Sequence, residues 1–234
     1  HNKSKRVQEV MHPESRALLN RLLKMLAEAD ARGRLAADRA EVLLRLELGF
    51  LPAEELGILE RPYAFASPWA ELAYFEGRLA YPAQELYDDS WGEVLLLCGL
   101  PGTGKDTWLR ANAPGLAVVS PDEVRAEYGL PPTGPQEEVM RLAAERAKAL
   151  LRQRIPFAWN ATSVSQSLRA RQLELFSRSG ARVRIVYLET GWETGLARNA
   201  ARAEAVPETA IERMLERLEP PERWEAARVD WLCT

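Results

Sequence analysis

The sequence predicts an α/β fold, a doubly wound and mainly parallel sheet preceded by a small helical segment. Between residues 91 and 234, five short apolar segments alternate with segments of helical periodicity, which is the pattern of parallel strands joined by crossover helices. The first 50 residues carry apolar side chains at helical spacing without intervening strands. With 47% hydrophobic and 28% charged residues, the 234-residue chain can bury a sizeable core.

Two helices are expected in the N-terminal segment. The first runs from Pro13 to Arg32 before Gly33, and the second runs from about Ala37 to Leu48 and ends at Gly49. Residues 51–90 lose this periodicity and gain prolines and aromatic side chains, whereas a flexible linker would be poor in aromatics. The predicted organisation is therefore a helical segment at 1–50, a packed connector at 51–90 and an α/β domain at 91–234.

The elements of the α/β domain follow from its apolar runs. Strands are expected at 94–98, 116–120, 157–159, 183–188 and 228–232. Helices are expected after the first strand and at 136–152, 166–179, 192–202 and 208–218. Because ligands of doubly wound sheets bind beyond the carboxyl ends of the strands, we expect chemistry directly after Cys98, Ser120, Trp159 and Leu188.

A glycine-rich loop follows the first strand. The apolar run Val94–Cys98 leads into GLPGTGKDT, and good helix formers come next, so that strand, loop and helix stand in the order of a phosphate-binding P-loop. Glycines let backbone N–H groups turn toward a polyphosphate, and the helix N-terminus adds partial positive charge. The pattern predicts a P-loop NTPase-like fold that binds ATP or another nucleoside triphosphate with Mg²⁺. The predicted nucleotide-binding residues are Gly99, Pro101, Gly102, Thr103, Gly104, Lys105, Asp106 and Thr107.

One position departs from the usual loop pattern. Asp106 follows Lys105, where a serine or threonine normally supplies a hydroxyl to Mg²⁺, and Thr107 comes one place later. Carboxylates are good Mg²⁺ ligands. We therefore expect Asp106 to contact the metal directly or through water.

Polar side chains also follow the second and third strands. Asp122 and Arg125 are three residues apart at a helix start, so they can face the same side. A carboxylate there could accept the proton of an attacking hydroxyl while the arginine holds an anionic group of the acceptor; the alternative is that Asp122 only caps the helix. Asn160 and Thr162 follow the third strand and are expected to hold the acceptor.

Two arginines lie one helical turn apart near the end of the predicted 192–202 helix. Arg198 and Arg202 precede a segment that ends at Pro207, and the stretch from about 196 to 210 is expected to form a lid. Phosphoryl transfer needs positive charge on the migrating group, and arginine grips phosphate oxygens in pairs. The alternative is a solvated helix face.

The ordered set GLPGTGKDTW, VVSPDEVR, WNATSVSQSLR, ARNAAR and AVP resembles the P-loop polynucleotide 5′-kinases, over about residues 91–234. The resemblance implies transfer of the ATP γ-phosphate to a 5′-hydroxyl of RNA or DNA. It implies that Lys105, Arg198 and Arg202 stabilise the transition state, that Asp122 is the general base and that Arg125 contacts the acceptor's neighbouring phosphate. Two departures are Asp106, where the family usually has serine, and Ala161, where the phage member carries aspartate.

The loop and the WNAT stretch resemble most a bacterial branch of RNA end-healing enzymes, in which an HD-type phosphohydrolase precedes the kinase. Ala27–Arg34 resembles the end of such a domain, and Asp30 would be its last metal ligand. The only histidines are His1 and His12, and no His-Asp pair occurs. Because a metal site needs several ligands, Asp30 is interpreted as part of a remnant without phosphohydrolase activity.

The net charge, the apolar runs and the cysteines of the chain limit its possible binding partners and its cellular location. The net charge of −3 gives no global attraction for nucleic acid or anionic membranes, so a polyanionic substrate must meet a local basic patch. No apolar run is long enough to span a membrane, and Cys98 and Cys233 are expected to be buried thiols, which together predict a cytoplasmic protein. Two other interpretations stay open: a P-loop kinase of a small metabolite or nucleotide, and an ATP-hydrolysing switch or toxin-like module.

Overall fold

The computed structural model of the chain describes residues 13–33, 38–59, 61, 63–130, 136–202 and 204–234. The described residues divide into two compact units, one up to Phe65 and one from Ala66 onward. The three-part organisation derived from the sequence stays a prediction. None of the helices within these ranges is long and apolar enough to cross a membrane.

The N-terminal unit is a helical pair, α1 (Pro13–Gly33) and α2 (Arg39–Glu55). The first helix is as predicted, but the second does not end at Gly49 and continues through Pro52. An interior glycine costs only about 1 kcal/mol, which packing can offset. Contacts with α1 support this extension, because Lys24 forms an ion pair with Glu54 near the end of α2.

The C-terminal unit alternates strands and helices as expected. Its elements are α3 (Pro68–Phe75), β1 (Glu93–Cys98), α4 (Lys105–Asn112), β2 (Ala117–Val119), α5 (Pro121–Tyr128), α6 (Gln136–Arg152), β3 (Phe157–Asn160), α7 (Gln166–Ser177), β4 (Arg182–Glu189), α8 (Trp192–Ala200), α9 (Glu208–Glu216), a 3₁₀ turn (Arg223–Glu225) and β5 (Arg228–Cys233). The strands form one sheet in the order β2-β3-β1-β4-β5, and every pairing is parallel. The doubly wound α/β fold is confirmed.

The sequence analysis missed α3 within the predicted connector. Its start carries a recognisable signal: Pro68 is at the first helical position, and Ser67 precedes it with its Oγ accepting from the Ala70 backbone N–H at 3.0 Å. The helix buries Ala70, Leu72 and Ala73. The absence of a long periodic pattern concealed it, because α3 has only eight residues.

The sheet separates two apolar layers. Alternate residues of β1 face opposite sides, so Leu96 packs with α6 and α7 while Leu97 packs with Leu109 of α4. Cys98 is buried as predicted, and burial raises the pKa of its thiol to about 12. Cys233 is exposed, contrary to prediction, because it ends the edge strand β5, and its Sγ donates to Glu189 Oε1 at 3.2 Å.

A buried ion pair connects α7 to the segment before β5. Arg169 Nε and Nη2 donate to the two Glu225 carboxylate oxygens at 2.7 and 2.8 Å, and the two side chains are only 1% and 5% exposed. Arg169 Nη1 also donates to the backbone oxygens of Ser163, Val164 and Glu219 at 3.2, 3.3 and 2.7 Å. The guanidinium therefore joins α7 and the bend before it to the segment from Glu219 to Glu225, at least 50 residues later in the sequence.

We predict that Arg169→Met destabilises the protein strongly. The substitution leaves the Glu225 carboxylate buried without its partner, which costs about 3–5 kcal/mol of the free energy of unfolding. Chemical denaturation followed by circular dichroism measures the change. Arg182→Met is the matched control, because Arg182 pairs with Asp88 and Glu93 at 41% exposure, where such pairs contribute about 0–1 kcal/mol. If both variants lost the same free energy of unfolding, burial would not be the reason for the importance of the Arg169–Glu225 pair.

Candidate nucleotide site

The glycine-rich loop lies at the carboxyl edge of β1, and two of its glycines are required by close backbone contacts. A Cβ on Gly99, which has φ +139°, would lie 2.3 Å from the Leu188 carbonyl oxygen of β4. A Cβ on Gly102, with φ +84°, would lie 2.2 Å from the Gly195 carbonyl oxygen of α8. The loop is therefore held between the end of β4 and α8 in a conformation that favours glycine.

Lys105 lies at the first position of α4, and its ammonium group turns back into the loop. Lys105 Nζ donates to the carbonyl oxygens of Gly99 and Leu100 at 2.8 and 2.9 Å. Its pKa is lowered to about 8, chiefly by burial and to a smaller extent by the positive charge of Arg202, while Asp106 and Asp122 oppose the shift. These effects show that the predicted residues Asp106, Asp122 and Arg202 all lie in the electrostatic environment of Lys105.

Asp106 lies in the first turn of α4, exposed beside the loop. Its Oδ1 accepts from Asn160 Nδ2 at 2.6 Å, and the Thr162 backbone oxygen accepts from the Gly99 N–H at 3.0 Å. The stretch after β3 therefore contacts the loop at both ends. Thr107 is exposed, and its Oγ1 accepts from Arg110 at 3.4 Å.

Mg²⁺ fits this arrangement with Asp106 as an oxygen ligand. Among the described residues, no cluster of three or more His, Cys, Asp or Glu side chains could hold a metal ion by itself. Mg²⁺ commonly binds through one or two carboxylates together with substrate phosphates and water. A single exposed carboxylate next to a phosphate loop matches that mode. When bound, the ion would neutralise phosphate charge.

Asp122 and Arg125 form an ion pair on α5, with Arg125 Nη1 donating to Asp122 Oδ1 at 2.8 Å. The alternative that Asp122 caps the helix is wrong: the cap position is Ser120, and Asp122 lies within the first turn. Arg125 Nη2 donates to Gln136 Oε1, and Arg125 Nε is buried without a hydrogen-bond partner among the described residues. The Asp122 side chain is 69% exposed, so its carboxylate is open to solvent.

The two predicted lid arginines lie on and just after α8, toward the phosphate loop. Arg198 Nη1 would lie 4.0 Å from a Cβ placed on Gly104, and it donates to Thr234 Oγ1 at 3.0 Å. Thr234 Oγ1 in turn donates to the Thr103 backbone oxygen at 3.1 Å. Arg198 is therefore linked to the loop through Thr234, although both arginines are exposed.

The bend after α8 is held by a buried side chain that the sequence analysis left without a role. Asn199, which is 4% exposed, donates through Nδ2 to the Val206 backbone oxygen at 2.8 Å and accepts from the Val206 N–H at 3.1 Å. The pairing fixes the segment between α8 and α9. An asparagine between two arginines in ARNAAR is a weak signal, because asparagine on a helix is usually exposed.

Asp30 belongs to the other compact unit of the chain. It lies on α1 in the N-terminal unit and is exposed. His1 and His12 lie outside the described residues. The remnant interpretation of this segment stays a prediction.

The profile of the AAA domain family matches residues 94–221, which is more than half of the chain. The chain belongs to the AAA domain family. The matched residues run from β1 to the segment before the 3₁₀ turn, so they include the glycine-rich loop, Asp122 and both lid arginines. No curated protein matches the chain significantly.

Solved structures share the fold of this AAA domain at low sequence identity. A kinase candidate from Chloroflexus aurantiacus has a TM-score of 0.52 at 14% identity, covering 62% of this chain and 87% of that one. A gluconokinase from Sinorhizobium meliloti has 0.45 at 19%, covering 62% and 83%. The Pnkp1/Rnl/Hen1 RNA repair complex has 0.47 at 22%, covering 54% and 44%. At 14% identity, the likeness to the Chloroflexus structure extends to the fold alone.

We predict that Gly102→Ala weakens ATP binding, because its Cβ would displace the loop from α8. Gly115→Ala is the matched control. Gly115 has a similar φ of +81° but open space around it, so both variants carry a backbone strain of about 1–2 kcal/mol. Isothermal titration calorimetry should show lower ATP affinity for Gly102→Ala only. Equal ATP affinities in the two variants would place the loop outside the nucleotide site.

We also predict that ATP affinity falls as the pH rises above about 8. Lys105 has a lowered pKa of about 8 in the free protein, so it is charged below that pH and neutral above it. Bound phosphates favour the charged form and raise the pKa, so binding takes up a proton and affinity falls by up to about tenfold per pH unit. Calorimetry between about pH 7 and 9.5 measures the slope. Lys105→Met should bind weakly and without this pH dependence; an unchanged slope in that variant would assign the proton to another group.

Proposed function

We propose that the chain is an ATP-dependent polynucleotide 5′-hydroxyl kinase that acts on RNA or DNA ends in end healing and repair. The observation that carries the proposal is the position of Asp122. Its carboxylate is exposed at the start of α5, acts electrostatically on Lys105 of the phosphate loop, and is paired with Arg125. A carboxylate base beside a phosphate loop and its lysine suits phosphoryl transfer to a hydroxyl group.

The proposed reaction uses these residues in distinct roles. Asp122 accepts the proton of the 5′-hydroxyl as its oxygen attacks the γ-phosphorus in line, and the bond from that phosphorus to the β-phosphate oxygen breaks to release ADP. Lys105, Arg198 and Arg202 stabilise the charge on the transferring group. Asn160, which the sequence analysis assigned to the acceptor, donates to Asp106, the residue that would hold Mg²⁺. The cations come from two elements, α4 and the end of α8, so the migrating phosphoryl group would lie between them.

The surroundings of Arg125 favour an acceptor that carries phosphate groups. Its buried Nε lacks a hydrogen-bond partner among the described residues, and a buried unpaired donor is costly. A phosphate that follows the 5′-nucleoside would pair with the accessible part of the guanidinium, since the Arg125 side chain is 19% exposed. The open acceptor side, where Asp122 is 69% exposed, suits the end of a chain better than an enclosed metabolite.

The acceptor is tested with a panel and radiolabelled ATP. We expect transfer to 5′-hydroxyl RNA and DNA oligonucleotides, and none to oligonucleotides that already carry a 5′-phosphate. Gluconate, free nucleosides and nucleotides complete the panel. Transfer to a small acceptor only would favour the metabolite-kinase interpretation, and hydrolysis of ATP without any acceptor would favour the switch.

We predict that Asp122→Asn lowers transfer roughly 10²–10⁴-fold with little change in melting temperature. The amide keeps the shape of the side chain but cannot take a proton, and an exposed i,i+3 ion pair contributes only about 0.2–0.5 kcal/mol to stability. Glu123→Gln is the matched control, because Glu123 is an exposed acid at the next position of the same helix. Steady-state kinetics on an oligonucleotide distinguishes them. Full activity of Asp122→Asn would exclude it as the base.

In the same assay, Arg125→Ala should raise KM for the oligonucleotide more than KM for ATP. The physical reason is that its proposed partner is a phosphate of the acceptor. A defect confined to ATP would assign Arg125 to the donor side instead.

A further inference from the structure

A left-handed bend follows β3 and is held from α7. Ser163 has φ +43°, a conformation that costs a non-glycine residue about 1–2 kcal/mol, and it is 3% exposed. Its Oγ donates to Gln172 Oε1 at 3.0 Å, and Gln172 is itself 7% exposed. The side chain of this strained residue therefore makes one buried hydrogen bond, to Gln172.

The residues just before this bend contact the phosphate loop. Asn160 donates to Asp106 at 2.6 Å, and the Thr162 oxygen accepts from the Gly99 N–H at 3.0 Å. Only two residues lie between Asn160 and Ser163. The direction in which the chain turns at Ser163 therefore determines where both contacts fall.

The pairing of serine with glutamine is more specific than packing requires. A glycine at position 163 would adopt this bend without help, and an apolar side chain at 172 would fill the same volume without a polar group to satisfy. Backbone strain retained in a buried position occurs at functional sites, where the surrounding structure must hold it. Arg169, three residues earlier on α7, holds the same bend by donating to the backbone oxygens of Ser163 and Val164.

We propose that Gln172 is a positioning residue of the nucleotide site. It holds Ser163 in the left-handed conformation, and through that bend it places Asn160 against Asp106 and Thr162 against Gly99. Gln172 thereby fixes the position of the Asp106 carboxylate, which would hold Mg²⁺, without contacting a ligand itself. The inference rests on the nucleotide-binding part of the proposed function and not on the acceptor.

The decisive variant is Gln172→Met, which keeps the volume but removes the acceptor of the Ser163 hydroxyl. Loss of an outer-shell partner typically weakens metal affinity about 10–100-fold. We expect Mn²⁺ binding in the presence of ADP, measured by electron paramagnetic resonance, to weaken by at least about tenfold. Leu151→Ala is the control for stability alone, because Leu151 is a buried core residue at the end of α6, next to Arg152 and away from the loop. It should lower the melting temperature but leave Mn²⁺ binding unchanged.

Rescue separates positioning from general destabilisation. Adding Ser163→Gly to Gln172→Met should restore Mn²⁺ binding, since glycine takes the bend and needs no hydrogen-bond partner. Asn160→Ala should weaken Mn²⁺ binding to a similar extent, and its combination with Gln172→Met should be less than additive. If Gln172→Met does not unfold cooperatively, Ser163→Ala removes the same hydrogen bond from the other partner and is measured in its place.

Equal Mn²⁺ binding by the Gln172→Met and Leu151→Ala proteins, or full additivity with Asn160→Ala, would overturn the proposal. None of these measurements uses a polynucleotide acceptor. Failure of the acceptor panel with normal rescue would therefore refute the proposed acceptor and leave the role of Gln172 in place.

Discussion

Arg169 and Glu225 bring two full charges into a part of the molecule that water does not reach. Such a pair is stable only when the remaining donors and acceptors are satisfied as well. Here the guanidinium also donates to three backbone oxygens, two from the bend after β3 and one from the segment before the 3₁₀ turn. The Arg169 side chain thus connects the bend after β3 to the segment before the 3₁₀ turn. The position of that bend at the carboxyl edge of the sheet depends on these hydrogen bonds.

At that edge, the backbone of the glycine-rich loop lies very close to the backbone of its neighbours. The phosphate loop contacts the end of β4 at Gly99 and α8 at Gly102, and no side chain could be accommodated at either contact. The approach of α8 has a functional consequence, because Arg198 lies on the same helix three residues after Gly195. The glycines therefore shape the loop and also bring a cation from a distant part of the chain to the position where phosphates would bind.

The charge of the molecule is distributed unevenly. A chain with a net charge of −3 presents Lys105, Arg198 and Arg202 around the loop, and Asp106 and Asp122 are opposing charges there. Burial weakens the charge on Lys105 in the free protein, and a polyphosphate would strengthen it. The positive charges around the loop therefore suit a polyanionic ligand, although the net charge of the whole chain is negative.

Much of the site could be predicted from short-range patterns. The glycine-rich loop, the five strands and the polar residues at strand ends are encoded by neighbouring residues, because apolar periodicity and glycine spacing act locally. Long-range contacts decided the rest. The pairing of Asn160 with Asp106 spans 54 positions and that of Arg169 with Glu225 spans 56, and neither has a local signal. The continuation of α2 past Gly49 and the exposure of Cys233 on an edge strand depended on tertiary packing as well. The sequence by itself determined which residues could do chemistry, and only the tertiary structure decided which of them meet, because strand order and buried pairing depend on how distant segments pack.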